Sequence, residues 1–207
     1  MAATEPSIRL ATVKDLEELA LMNQRAFISS PPQTFLARLN APLTTEIKDK
    51  AYRENQAEFL KFFIRRSWSL NARITVVVLT VKDGREKIVA SAIWRPPIAP
   101  GAPNAPSTIS ALRMGLFTVL RRWGFGVMGA RYMSMLLREG FAHAQGATFT
   151  LEATTPGSRD VYQHFGFEVV REVIVAKGKV DTKGVLAPKD SAAATGFPIY
   201  PMIKAKQ

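Results

Sequence analysis

This sequence predicts an α+β fold in a single domain, residues 1–207. Three observations carry the prediction. Two-residue alternation marks short strands, and between them apolar residues recur at helical spacing, so both element types are present. A Gly-containing turn joins two of the strands as a hairpin, which makes that pair antiparallel. With 47% hydrophobic residues, the chain suffices for one well-buried core and is short for two.

Composition excludes several function classes. There is no Cys, and the two His, His143 and His164, are too few for a ligand cluster, so neither a disulfide framework nor a metal centre is expected. The opening MAATEPSIRL lacks the basic-then-apolar layout of a signal peptide, and no run of about 18 apolar residues occurs. A soluble cytoplasmic protein, not bound to membrane, is therefore expected. The net charge of +11 is spread along the chain without a basic block or a nucleic-acid motif. It argues for solubility and for attraction to a polyanionic small molecule rather than for nucleic acid.

In chain order, Ile8 and Leu10 alternate with Ser7, Arg9 and Ala11 as a first strand. Thr12 to Asp15 then offers a capping-box start, and Leu16, Leu19, Ala20, Asn23 and Phe27 form a helical stripe with acidic residues at its positive end. Ser29-Ser30-Pro31-Pro32 ends that helix. A second helical region spans Thr45 to Trp68, with Phe59, Phe62, Phe63 and Trp68 spaced as core aromatics. The β-branched run Arg73 to Thr80 is a buried strand, Lys82-Asp83-Gly84-Arg85 a hairpin turn, and Lys87 to Trp94 the return strand. After the Pro-rich loop Gly101–Pro106, Ser107 caps a helix striped by Ile109, Leu112, Leu116, Leu120 and Trp123. No acidic residue occurs between Gly101 and Arg138, so this basic amphipathic stretch packs on a sheet or, less ordinarily, lies on a membrane or meets an acidic partner.

The densest stretch is Thr148 to Val170, TFTLEATTPGSRDVYQHFGFEVV. Phe149 and Leu151 alternate into a strand, Ser158 stands where a helix begins, and Val161, Tyr162 and Phe165 share one of its sides. Gly166 stops the helix, and Phe167 to Val170 resumes the alternation with Phe167 in the core. Arg171 to Ala176 continues that strand, Gly178 to Gly196 is a polar excursion, and Ile199 to Ile203 is a final strand that Pro198 and Pro201 restrict to an edge or a bulge.

LEATTPGSRDVYQHFGFEVV resembles the C-terminal signature of the GCN5-related N-acetyltransferases, in particular small-molecule acetylases of the puromycin N-acetyltransferase type. The resemblance implies a mixed central sheet with helices on both faces, and acetyl transfer from acetyl-CoA to a small-molecule amine. Tyr162, in the pattern Y-x-x-x-G-F, would protonate the departing thiolate. A phenol of pKa about 10 is protonated at pH 7, and a thiol of pKa about 8.5 leaves as a weaker base than the phenolate. Without the flanking pattern, a packed Tyr ring would be the ordinary alternative. Glu152 is a candidate base, or else a strand-end carboxylate paired with a nearby cation. Ser158 stands where the family often has Asn and would bond the cofactor, and Trp94, ending the strand in WRPP, would face the acceptor. The helical zone from Thr45 to Trp68 would, by the same resemblance, cover the acceptor.

Gly124, Gly126 and Gly129 match G-x-G-x-x-G, a dinucleotide fingerprint that requires a strand running into the first Gly. Here a helical stripe precedes it. Arg121 to Gly126 also fits the acetyltransferase pyrophosphate loop, R/Q-x-x-G-x-G/A, and fails on the same ground. The alignment that fits the flanking residues places Ser107 to Met133 before, and Leu136 to Ala144 after, a fourth strand and pyrophosphate loop that are missing near Ser134-Met135. An acetyl-CoA-dependent enzyme and an impaired remnant with a structural or binding role both follow from it, and the oligomeric state is open.

Overall fold

The structure, a computed structural model, describes residues 5–81, 84–94, 107–124, 149–188 and 190–205. They fall into two units, Met1–Phe27 with Glu46–Gly124 and Ile28–Thr45 with Phe125–Gln207. The helices are α1 (Leu16–Ala26), α2 (Pro31–Leu36), α3 (Lys50–Ser69), α4 (Thr108–Arg113), α5 (116–124) and α6 (Pro156–His164). The strands are β1 (Ser7–Leu10), β2 (Arg73–Thr80), β3 (Glu86–Trp94), β4 (Phe149–Ala153), β5 (Glu168–Val169), β6 (Val173–Val175) and β7 (Phe197–Lys204). The class is α+β, and every described ladder is antiparallel.

In the first unit the sheet runs β1-β2-β3, with Ile8 opposite Val77 and Val76 opposite Ser91. The hairpin closes where the sequence puts it. Val81 N–H donates to the Arg85 carbonyl at 2.8 Å, and Gly84 takes a φ of 78°. The alternate residues Ile74, Val76 and Val78 of β2, with Ile88 of β3, meet Leu16, Leu19 and Ala20 of α1 and Leu60 and Ile64 of α3. The β2–β3 register shifts between Val77 and Val78, and beside it the Ile88 amide donates to the Glu18 carboxylate at 2.7 Å. Asp15 at the start of α1 holds Arg9 of β1 through two hydrogen bonds of 2.8 Å, and Arg9 reaches Glu86 of β3 at 2.9 Å.

Two helical expectations need correction. Ser29-Ser30-Pro31-Pro32 does end α1, but Pro31 also starts α2, with Ser30 in extended backbone before it and Pro at the first helical position. A fixed φ and a missing N–H suit that position, so the same dipeptide that stops one helix opens the next. The stripe Ile109, Leu112, Leu116, Leu120 and Trp123 is not one helical face. Gly115, at φ 102°, separates α4 from α5, and the buried residues are Ala111, Met114, Val119 and Trp123, whereas Ile109 and Leu112 are exposed. Arg65 stabilises the break by donating to the Met114 carbonyl at 3.0 Å.

In the second unit β7 is central. It pairs with β4 on one side, Leu151 opposite Met202, and with β5 and β6 on the other, Val169 opposite Met202 and Val173 opposite Ile199. Its prolines are therefore accommodated without an edge position. Val170 N–H donates to the Pro201 carbonyl at 2.9 Å, and one extra residue between β5 and β6 bulges the partner strand next to Pro201. By alternation the Pro198 nitrogen points toward the β4 side, past the last β4 pair, Ala153 with Tyr200. Leu151, Ala153, Tyr200, Met202 and Val169 form one packed face, which α6 covers through Tyr162. Phe197, buried beyond the β4 pairing, meets Phe35 of α2 edge to face. The excursion 178–196 is less irregular than its composition implies: Val180 and Leu186 form a bridge, and Val180 is fully buried.

Candidate functional site

The loop after β4 turns into α6 through Thr155, not Ser158. Thr155 is the N-cap in extended backbone, Pro156 the first helical residue, and Ser158 the third. The two hydroxyls form a reciprocal box: the Ser158 amide donates to Thr155 Oγ1 at 3.1 Å, and the Thr155 amide donates to Ser158 Oγ at 3.2 Å. Ser158 Oγ also donates to the Thr155 carbonyl at 3.0 Å. Its hydroxyl is thus spent on the helix start. A Cβ on Gly157 would meet nothing within 4 Å, so the chain beside that first-turn amide is open.

Helical spacing places Arg159 and Tyr162 on the same side of α6, three residues apart. The Arg159 guanidinium lies 5.0 Å over the Tyr200 ring, and Asp160 holds it at 2.6 Å and shifts its pKa above the usual range. Tyr162 packs against Phe167, with ring centroids 6.0 Å apart and planes at 66°. Its hydroxyl has no hydrogen-bond partner among the described residues. Val161 and Phe165, expected on the same side, are exposed. A nine-residue helix over a sheet buries a narrow stripe, and only Tyr162 of the three falls inside it.

The far end of α6 closes as a Schellman turn. Phe167 N–H donates to the Tyr162 carbonyl at 3.1 Å and Gly166 N–H to the Gln163 carbonyl at 2.9 Å, with Gly166 at φ 80°. Phe167 therefore sits just before β5 and is half-buried, not a strand residue of the deep core. Lys204, from β7, donates to the Phe165 carbonyl at 2.8 Å and places its ammonium 5.9 Å over the Phe167 ring.

The site residues expected from the sequence are not all brought together. Glu152 is in β4 opposite Pro201, with one carboxylate oxygen out of solvent. Leu151 and Ala153 belong to the face that Tyr162 covers, so alternation puts Glu152 on the other face. Trp94 ends β3 in the first unit, half-exposed, with its indole N–H donating to Thr75 Oγ1 at 3.3 Å. Arg159, Tyr200 and Lys204 were not found from the sequence. The only usable signal was the Y-x-x-x-G-F helix end, which needs a partner for its last carbonyls but does not say which strand provides it.

Residues 125–148, including Gly126, Gly129 and the junction Ser134-Met135, lie outside the described residues. Gly124 closes α5, a helix, which removes the strand that a dinucleotide fingerprint needs. Arg121 to Trp123 are helical too, and the Trp123 indole N–H donates to the Asn55 carbonyl at 2.8 Å, so this stretch is packing rather than a phosphate loop. No helix among the described residues is long and apolar enough to cross a membrane.

No family model and no curated protein matches the chain. Among solved structures it is similar to a GCN5-related N-acetyltransferase from Rhodopseudomonas palustris, at 13% identity and a TM-score of 0.39, over 100% of this chain and 99% of that one. It is also similar to mosquito arylalkylamine N-acetyltransferase like 5b, at 14% identity and a TM-score of 0.37, over 97% and 99% of the two chains. Neither likeness assigns a role to a residue here.

Proposed function

We propose that the chain is a cytoplasmic acyltransferase, working as one domain, that moves an acetyl group from acetyl-CoA to a small-molecule amine. The observation that carries this reading is Tyr162: the Y-x-x-x-G-F signature folds as a capped helix that holds this ring against Phe167, with no hydrogen-bond partner for its hydroxyl among the described residues. Tyr162 gives its phenolic proton to the thiolate as the amine replaces it on the acetyl carbon. Glu152, on the other face of β4, takes the amine's proton only by way of water. Ser158 serves the cofactor indirectly, because its box with Thr155 leaves the Gly157 amide and the open space beside it for acetyl-CoA.

The test combines calorimetric titration of acetyl-CoA with thiol release from acetyl-CoA over a panel of amines, using wild type and Tyr162→Phe. Wild type should bind and turn over, and the variant should lose about a hundredfold in turnover at unchanged thermal stability. Equal turnover in Tyr162→Phe would remove the residue as acid. Folded wild-type protein that binds no acetyl-CoA would leave the chain a structural or binding protein instead.

A further inference from the structure

We infer that Lys204 is a positioning residue for Tyr162, an inference that rests on the role of Tyr162 given above. The last turn of a helix leaves carbonyls without intrahelical donors. In α6 the Schellman turn supplies donors to the Tyr162 and Gln163 carbonyls, and the carbonyl of the C-cap residue Phe165 takes Lys204 Nζ at 2.8 Å. The ammonium also stands at the negative end of the helix dipole, where a cation is favoured.

Lys204 reaches the reacting ring by a short route. Phe167 donates its amide to the Tyr162 carbonyl and packs its ring edge to face against the Tyr162 ring, and the Lys204 ammonium lies 5.9 Å from the centroid of that same Phe167 ring. A Cβ on Gly166 would come within 3.7 Å of Lys204 Cε and Nζ, so the side chain covers the turn itself. At its other end Lys204 is fixed in the ladder opposite Phe149 of β4. One side chain thus ties the end of α6 to the central strand and braces the ring against which Tyr162 is set. The phenol's direction is then set from β7, and a small shift of a proton donor is expensive in rate.

Incorporating 3-fluorotyrosine gives four fluorine signals, for which Tyr162→Phe identifies the one from Tyr162. Lys204→Met should move that signal, lower kcat by about ten- to a hundredfold, and leave KM for acetyl-CoA within about threefold. Lys204→Arg, which keeps a cationic donor, should restore most of both. If Lys204→Met does not fold, Lys204→Gln is read in its place with the same expectations. An unmoved fluorine signal with unchanged kcat overturns the inference, as does a loss that falls on KM alone. A shifted signal in a protein whose wild type turns over no amine upholds the positioning and overturns the acetyl-transfer reading, so the two failures are told apart.

Discussion

Replacing Asp15 by Asn removes one charge and almost no volume from the junction of β1 and α1. The Asp15 carboxylate accepts from Arg9 Nη1 and Nη2 at 2.8 Å each, and from the Thr12 amide at 2.6 Å and its hydroxyl at 3.0 Å. Asn keeps one acceptor for Thr12 and loses the bidentate charge-assisted pair. Such bonds contribute roughly 1.5–3 kcal/mol each. With Arg9 one-third exposed, solvent screening brings the pair down to about 2 kcal/mol in total. The Arg9 hydrogen bonds hold the Asp15 carboxyl well below its usual range, against a smaller opposing effect of burial. Its stabilisation is therefore complete above the unfolded carboxylate pKa of about 4 and is lost as pH falls below it. Urea unfolding followed by tryptophan fluorescence suits the measurement, because Trp68, Trp94 and Trp123 all belong to the same unit as Asp15. Wild type should exceed Asp15→Asn by about 2 kcal/mol at pH 7, and about 1 kcal/mol of that should be gone by pH 3. A difference that is constant from pH 7 to pH 3, or that widens in acid, would refute the reasoning.

Two further substitutions probe the second unit. Gly184→Ala should destabilise it by about 2–4 kcal/mol, because Gly184 has a φ of 78° and an added Cβ would press on the Pro31 carbonyl and the Phe35 amide, both backbone. Amide exchange of β7 reads this directly, and unchanged protection would mean that the excursion does not press on α2. Phe167→Ala should cost about 2 kcal/mol, roughly half the usual price of a fully buried Phe, since the ring is only partly covered. A melting temperature equal to wild type would show that the Tyr162 and Lys204 contacts carry no stability.

Local pattern was enough where the deciding interactions are local. The Leu16, Leu19 and Ala20 stripe of α1, the strand β2 and the Gly84 hairpin were readable, because each depends on residues within one or two turns of chain, although Phe27, expected on that stripe, is exposed, and β2, expected as a buried strand, buries only alternate residues. So was the strand, helix and Gly-turn order of 149–169. The misreadings share a cause. Thr155 and Ser158 both cap, and only the turn of backbone decides which one stands outside the helix. Gly115 interrupts a good apolar stripe because Arg65, far away in sequence, satisfies the carbonyl that the break exposes. Pro198 and Pro201 sit in a central strand because a bulge in a different segment and the end of β4 remove the bonds they cannot make. Tyr162 was found from its motif, whereas Lys204 and Arg159 depend on which strand lies beneath α6, and no spacing encodes that.

The central place of β7 has a consequence for how the chain is made. Among the described residues of the second unit, β4, β5 and β6 share no ladder with one another, and each pairs with residues 197–204. During synthesis at roughly 5–20 residues per second, β4 waits several seconds for its partner to be translated. All of Met1–Gly124 apart from the segment Ile28–Thr45 belongs to a unit that can close before then. Closing the β4–β7, β5–β7 and β6–β7 ladders is a non-local step that comes late, and until β7 arrives these strands lack the partner they have among the described residues. A ribosome stalled between residues 170 and 197 would hold a nascent chain whose β4 and β5 lack the β7 partner, the form in which this protein is most exposed to chaperones, proteases and aggregation.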